Sequence, residues 1–328
     1  MAGRRVNLAL LWATVLALVT GVGAFLVGSP SGTWLVVGHG VVALAIIVLT
    51  PGKSAVVARG VQRRRPGRVL SVALIFATVA ALVTGVLLIT GSVQSIGPFT
   101  TMQLHVSLGL LTVSLTLIHT LQRPTSHRRS DFSRRNAIRA GGVLAAAGAL
   151  WIALEGALDI VGARGEQRRF TGSHEIVDAA QVPVTQWLND RVQRLDAGTH
   201  QVLVGDTAYS IADIAAPGDT IEATLDCTGG WYTTQRWAGA RLDRLLPVSD
   251  APSVVIRSTT GYWRRFPLEQ AGSLLLATHM AGEPLRDGNG GPVRLVAPGR
   301  RGYWWVKWVE SVEVDDLPPW WQPPLPTA

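Results

Sequence analysis

Two histidines and one cysteine are the residues best placed to do chemistry. His39 and His105 lie inside long apolar runs, about six and five residues after each run begins. An ionisable side chain in such a run is costly, so it is read first as functional. Cys227 is the one cysteine in 328 residues. It can form neither an internal disulfide nor a cysteine-cluster zinc site. It stands in DCTGGW (226–231), where a strand would run into a glycine pair and present a thiolate with little side-chain obstruction.

The elements that must position these residues can be read from the apolar pattern. Five runs, 6–27, 33–50, 69–91, 101–121 and 140–162, each approach the ~20 residues needed to cross a bilayer. The connections 51–68 and 122–139 carry six basic residues each, whereas 28–32 and 92–100 carry none. With Arg4 and Arg5 at the start, this asymmetry predicts a cytoplasmic N-terminus. Five crossings then predict a multi-pass protein of the cell membrane, with everything after about 163 extracytoplasmic.

The overall charge of +8 invites a nucleic-acid reading, but its distribution excludes one. Residues 1–139 hold 14 Lys+Arg against the single acid Asp131. Residues 140–328 hold 16 basic against 21 acidic residues, a net of −5. The positive charge belongs to short connections between apolar runs. The bilayer is the expected partner, and no nucleic acid is expected.

The first and third runs are copies. ATVLALVTGV (13–22) recurs as ATVAALVTGV (77–86), with one change in ten positions. The second and fourth runs become their hairpin partners, and a duplicated hairpin predicts a four-helix bundle. His39 and His105 then occupy equivalent depths, the usual arrangement for two axial ligands of a b-type haem. Gly21 and Gly85 fall at that depth and would let a flat macrocycle approach the backbone. This part resembles the four-helix cytochrome b membrane anchors of respiratory oxidoreductases, over roughly 1–125. His119 lies 14 residues after His105, ~21 Å along a helix. Its counterpart in the first repeat is Lys53, so one haem is expected, and His119 is read as a headgroup or quinone contact.

Residues 126–165 hold the fifth run, introduced by SRRNAIR (133–139), which resembles a twin-arginine export signal. Beyond it the texture changes to short β-rich runs broken by Gly and Pro: HQVLVG, SVVIRST, GPVRLVAP and YWWVKWVESVEV. Such runs without long helical patterns predict an α+β, β-rich domain over 166–315. The Pro/Trp-rich tail 316–328, with PPWWQPPLP, is a candidate for the membrane interface.

After DCTGGW come STTGYWRRFPL (258–268), LLATHMAGEPL (275–285) and NGGPVRLVAPGRRGYWWVKW (289–308). In that order the motifs resemble the molybdopterin-binding domain of the sulfite oxidase superfamily, over roughly 170–315. The resemblance implies a molybdenum-molybdopterin cofactor with Cys227 as the protein ligand to molybdenum. A thiolate is a soft ligand suited to that role. It also implies pterin contacts from Asn289, Arg294, Trp305, Lys307 and Ser258, with Lys307 facing the cofactor phosphate. Sulfite oxidases usually have His where Asn289 stands, and Asn is more like the periplasmic methionine-sulfoxide reductase branch. The Arg-Asn-His segment expected before the cysteine is replaced by AAQVPVTQW (179–187), and no immunoglobulin-like domain is expected after Val314.

For the substrate, Arg236 and the pairs Arg264/Arg265 and Arg300/Arg301 are candidate oxyanion contacts, and Tyr232 a candidate donor to a metal oxo group. The reading is a multidomain, membrane-anchored molybdenum oxidoreductase: a five-helix bundle followed by a sulfite-oxidase-type domain. It would transfer an oxygen atom to or from a small substrate and exchange electrons with quinone, or with a partner protein, through the haem. Two alternatives stay open. One is a molybdenum enzyme with a haem-free anchor and a separate redox partner. The other is a cofactor-free binding or assembly module. A transporter is disfavoured because the repeated helices offer few polar residues.

Overall fold

The computed structural model describes residues 2–62, 67–186 and 190–324. Of the residues singled out above, Arg63–Arg65 and Trp187 lie outside that range, as does the end of the Pro/Trp tail. The chain divides into two compact units, 1–174 and 175–328.

The first unit contains five long helices: α1 (Ala2–Leu26), α2 (Thr33–Gln62), α3 (Arg68–Thr90), α4 (Thr101–Gln122) and α5 (Arg134–Ile160). All five are long and apolar enough to cross a membrane. They pack mainly as two hairpins, α1 on α2 and α3 on α4, with α5 against α2. Several of their hydroxyls are satisfied inside their own helices: Thr14 donates to the Leu10 carbonyl, Thr78 to Leu74 and Thr112 to Leu108. Such i→i−4 bonds pair the hydroxyls without partners from outside the helix. A capping box between Thr100 and Gln103 starts α4, and Gly91 in the left-handed region (φ 65°) ends α3.

Two boundaries differ from the sequence reading. The second run was read over 33–50, yet α2 continues through Pro51 to Gln62. Contacts with α1 carry it past the proline: Gly52 lies against Val6, and the Lys53 ammonium donates to the Asn7 side chain. At the other end, α5 begins at Arg134, so the paired arginines are in its first turn rather than in the preceding connection. The amides of Asn136 and Ala137 both donate to the Ser133 carbonyl, which fixes that start.

The second unit is β-rich. Its strands are β1 (Gln201–Val204), β2 (Thr207–Ser210), β3 (Asp219–Cys227), β4 (Trp231–Arg241), β5 (Ser253–Ser258), β6 (Trp263–Pro267), β7 (Leu275–Met280), β8 (Glu283–Pro284), β9 (Arg294–Val296) and β10 (Val309–Asp315). One sheet grows from the long β3–β4 hairpin: β7 pairs with β4, and β8 and β9 with β7, all antiparallel. The other has the order β2-β1-β10-β5-β6, with β1 and β10 parallel. Alternating residues of both sheets, including Trp237, Leu276, Val254, Ile256, Phe266 and Leu295, form one fully buried core. The Pro/Trp tail lies along β6, where Gln322 bonds both the amide and the carbonyl of Arg265. Trp320 and Trp321 remain exposed.

Candidate active site

Cys227 is the last residue of β3, opposite Trp231 across the hairpin turn. Its side chain opens on a narrow cleft of about 80 Å³. Thr185, Asp190, Ser258, Tyr262, Trp305 and Lys307 are among the residues lining it. The Gly229 amide donates to Cys227 Sγ at 3.3 Å. Burial pushes the thiol up, while that amide, the Thr185 hydroxyl, Lys307 and Arg301 pull the other way. Gly302 packs against the back of the cysteine: a Cβ there would meet Cys227 Cα at 3.1 Å and the Asp226 carbonyl oxygen at 3.2 Å.

The far wall is cationic and aromatic. Lys307 Nζ donates to the carbonyls of Gly288 (2.7 Å) and Thr185 (2.8 Å), and lies 5.3 Å from the Trp308 ring centroid. Burial and the nearby Arg294 charge push the ammonium down to about 7. Trp308 holds a left-handed conformation (φ 51°), a strained state for a bulky residue that is found preferentially at functional sites. Arg294 is fully enclosed between Trp237 and Trp305, its guanidinium 5.4 and 5.6 Å from the two rings. It donates to the Asn289 carbonyl at 2.8 Å. Arg294 Nε and Asn289 Oδ1 are buried without a hydrogen-bond partner. Such atoms call for an occupant, because leaving them dry costs ~1–3 kcal/mol each.

Of the residues expected from sequence, Cys227, Ser258, Trp305 and Lys307 line the cleft, and Asn289 and Arg294 are buried behind it. Tyr232 and Arg236 are not brought there. Tyr232 pairs with Asp226, one step out of phase with Cys227, so its side chain leaves the other face of the ribbon. Arg236 is exposed, opposite Glu222 and four pairs further along the hairpin than Tyr232.

The arginine pairs expected to hold an oxyanion are committed elsewhere. Arg301 forms a buried ion pair with Asp226 (2.6 Å), next to Cys227. Arg265 bonds Ser253 (3.0 Å) and Asp315 (2.8 Å). Arg264 donates to the Tyr262 hydroxyl (3.1 Å) and to the Pro323 carbonyl (3.0 Å), and Arg300 to Gln270 (3.2 Å). The sequence reading missed Thr185, Asp190, Tyr262 and Tyr303. Thr185 stands in the AAQVPVTQW segment that was noticed but given no role, and the two tyrosines sit inside motifs already singled out.

In the helical unit, His39 and His105 do meet. Their ring centroids are 5.9 Å apart and their planes 88° to one another. Each Nδ1 is 3.0 Å from a carbonyl of the neighbouring helix, Ala17 for His39 and Ala81 for His105. Each is also 3.3 Å from a threonine hydroxyl, Thr20 or Thr84. The Nδ1 proton is thereby directed to the carbonyl, which leaves the Nε2 lone pair for a ligand. Gly21 and Gly85 serve this packing rather than the close approach of a macrocycle. A Cβ at either would lie 3.1 or 3.2 Å from the imidazole Cε1 of its hairpin partner. At the opposite end of the bundle, His119 lies within electrostatic range of Lys53 and Arg123.

Residues 189–320 match the family described as the oxidoreductase molybdopterin binding domain. The mitochondrial sulfite oxidase of Mus musculus is 36% identical over 107 residues, 28% of this chain and 20% of that protein. Its counterpart in Rattus norvegicus is 34% identical over 110 residues, with the same coverage. The chain thus spans about a fifth of the length of these relatives. Among solved structures, the sulfane dehydrogenase SoxCD of Paracoccus pantotrophus is 22% identical, with a TM-score of 0.36, covering 38% of this chain and 40% of that one. Residues 189–320 of the β-rich unit therefore match a molybdopterin-binding oxidoreductase domain.

Proposed function

We propose that the chain is a membrane-anchored molybdenum oxidoreductase whose β-rich unit works on the extracytoplasmic side and whose helical unit exchanges electrons with quinone through one b-type haem. The observation that carries this is Cys227 Sγ opening on a cleft backed by Lys307, Asn289 and Arg294. The partnerless Arg294 Nε and Asn289 Oδ1 fit a polar, anionic cofactor such as molybdopterin. Cys227 would ligate the metal, Lys307 would face the phosphate, and Trp305 and Ser258 would flank the pterin. When bound, the cofactor supplies two-electron oxygen-atom transfer.

The chain's own part is to orient and to exclude. Gly302 and the Asp226–Arg301 pair fix the backbone behind the thiolate. The aromatic walls Tyr262, Trp305 and Trp308 keep the cleft apolar around the reacting atoms. Among the described residues, Asp190 adds a carboxylate to the lining, Arg301 is paired with Asp226, Arg265 with Asp315, and Arg300 bonds Gln270. A small uncharged oxide suits that lining better than an oxyanion such as sulfite.

In the helical unit the residues also fit a cofactor. His39 and His105, whose ring centroids are 5.9 Å apart, would hold its iron. Each Nδ1 is already hydrogen-bonded to a carbonyl, as metal-bound histidines require. A haem there supplies one-electron transfer. Arg134 and Arg135 support export of a preloaded domain by the twin-arginine route. The positive charge of the connections supports a cytoplasmic N-terminus.

The test is molybdenum and iron per chain on detergent-purified protein, with turnover of sulfite and of a dialkyl sulfoxide. One of each metal, and preference for the sulfoxide, is the expected result. Molybdenum without iron would remove the haem and leave an anchor served by a separate redox partner. Absence of both from a cofactor-competent host would overturn the enzyme reading in favour of a binding module.

A further inference from the structure

Taking an oxygen atom from a small oxide and releasing it as water consumes two electrons and two protons. The electrons are the cofactor's part. The protons must enter a cleft whose walls include Tyr262, Trp305 and Trp308. Among the described residues lining that cleft, Asp190 is the one carboxylate. It is hydrogen-bonded to the Thr260 side chain. Thr260 Oγ1 lies in turn 3.1 Å from Ser258 Oγ, and either hydroxyl can be the donor. Ser258 itself lines the cleft. Asp190 and Thr260 are half-buried and Ser258 is 2% exposed, so the three run inwards from the more open end.

The turn between β5 and β6 builds this line. The Ser258 amide donates to the Tyr262 carbonyl at 2.8 Å and the Gly261 amide to the Ser258 carbonyl at 2.9 Å, with Gly261 in the left-handed region (φ 84°). The Thr259 amide donates to the carbonyl of the strained Trp308 at 3.0 Å, which ties the turn to another wall of the cleft. The Thr260 amide donates to Ser258 Oγ at 3.3 Å. That contact occupies one serine lone pair and leaves the hydroxyl proton and the second lone pair for other partners. A turn motif therefore explains the amide contact, but neither the hydroxyl pair nor the carboxylate at its outer end.

The ionisable groups that act on Asp190 are Lys307 and, through its own ring, Tyr262, whose hydroxyl takes a hydrogen bond from Arg264. Lys307 directs its ammonium at the carbonyls of Thr185 and Gly288 and is not on the line. Burial pushes the Asp190 carboxyl up, and Thr260 and Lys307 pull it down by less. An acid held nearer to working pH is the better proton donor.

We propose that Asp190, Thr260 and Ser258 are a proton relay from solvent to the oxygen atom released in the cleft. Asp190 gives its proton to Thr260 Oγ1, the threonine passes its own to Ser258 Oγ, and the serine passes its own to the departing oxygen. Water reprotonates Asp190, and the second proton follows the same route. Each hydroxyl gains one O–H bond as it loses another, and the oxide is the group reduced. The proposal rests on the oxide-reducing reading above and adds the proton path to it.

The experiment uses the purified, cofactor-loaded full chain with a dialkyl sulfoxide and a reduced artificial donor, comparing wild type with D190N, T260V and T260S. D190N is expected to lower kcat by ~10²-fold or more, with molybdenum per chain unchanged and KM within about twofold. Wild-type turnover should fall as pH rises through the Asp190 value, and D190N should lose that dependence and regain rate with added formic acid. T260V should slow turnover about tenfold and raise the solvent deuterium isotope effect, whereas T260S should match wild type. In cofactor-free protein at acid pH, the carboxylic C=O stretch absent from D190N should shift in T260V, because its hydrogen bond is gone. D190N and T260V within about threefold of wild type, with its pH profile, would overturn the relay and leave the reduction reading. Molybdenum lost in step with turnover would also overturn it, making Asp190 a cofactor contact. A wild type that does not turn over the sulfoxide would overturn the reduction reading itself. If D190N does not fold, the T260V and T260S pair decides, and equal rates in the two would overturn the relay.

Discussion

Around His39 and His105 one arrangement occurs twice: an imidazole, a carbonyl at 3.0 Å, a threonine hydroxyl at 3.3 Å and a glycine that makes room. Around Cys227 nothing is repeated, and the walls come from Thr185, Gln186 and Asp190, from Thr228, from Ser258 and Tyr262, and from the stretch between Gly302 and Trp308. The first plan needs only two helices per copy, and each half can be judged against the other. The second needs both sheets to be assembled before any wall stands in place. Duplication suits a ligand approached equally from two sides, whereas an asymmetric ligand demands an asymmetric cleft.

Breaking the asymmetric site should have the largest effect. C227S is expected to cut turnover by at least ~10³-fold, about 4 kcal/mol, with loss of molybdenum, while R236Q and Y232F stay within about threefold. Steady-state kinetics with an artificial electron donor checks this, and equal losses in all three would mean that the hairpin face has been misread. Next comes R301M, which removes the guanidinium from the buried ion pair with Asp226. Removing one partner of a buried pair costs ~3–5 kcal/mol, measurable as a drop in the denaturation midpoint of the β-rich unit.

The duplicated site makes the opposite demand, because its halves must fail alike. On the proposed haem reading, H39A and H105A should each abolish the haem absorbance while leaving donor-driven turnover at the cleft intact. Retention of the bands in one variant alone would break the equivalence. G21A and G85A should be milder and again matched, at ~1–3 kcal/mol each for the overpacked methyl. Their melting temperatures and haem content should fall together.

The smallest effect is acid-dependent. The Arg265 guanidinium, with the Leu317 amide, holds the Asp315 carboxyl below its usual range. A depressed folded value gives stability that is present above the unfolded value of about 4 and is lost as pH falls through the folded one. D315N should therefore destabilise the unit slightly at neutral pH and flatten its acid response, as seen in melts from pH 6 to pH 3.

Much of the helical unit was legible because its signals are local. The repeated decapeptide and the His39/His105 spacing survive without knowledge of the fold. The misreadings there came from packing: α2 passes Pro51 because Asn7 and Val6 of α1 hold its next turn. In the β-rich unit, the order of motifs carried Cys227, Ser258, Trp305 and Lys307 to the cleft, where the structure also has them. Thr185 and Tyr262 reach it through sheet pairing across many residues, which no window of sequence displays. Closeness in sequence drew attention to Tyr232 and Arg236, yet strand alternation sends both elsewhere. Arg301 looked like a free cation until its partner, 75 residues away, came beside it.

The chain holds only two lysines, and Lys307 is the one in the β-rich unit, its ammonium gripped by two backbone carbonyls at the wall of the cleft. For surface chemistry that unit is almost blank. Acylating reagents, formaldehyde and lysine-directed cross-linkers find no amine on its outside. Any adduct in the β-rich unit would map to the cleft itself. A single peptide mass then becomes a footprint of what fills the cleft, readable without purifying the protein.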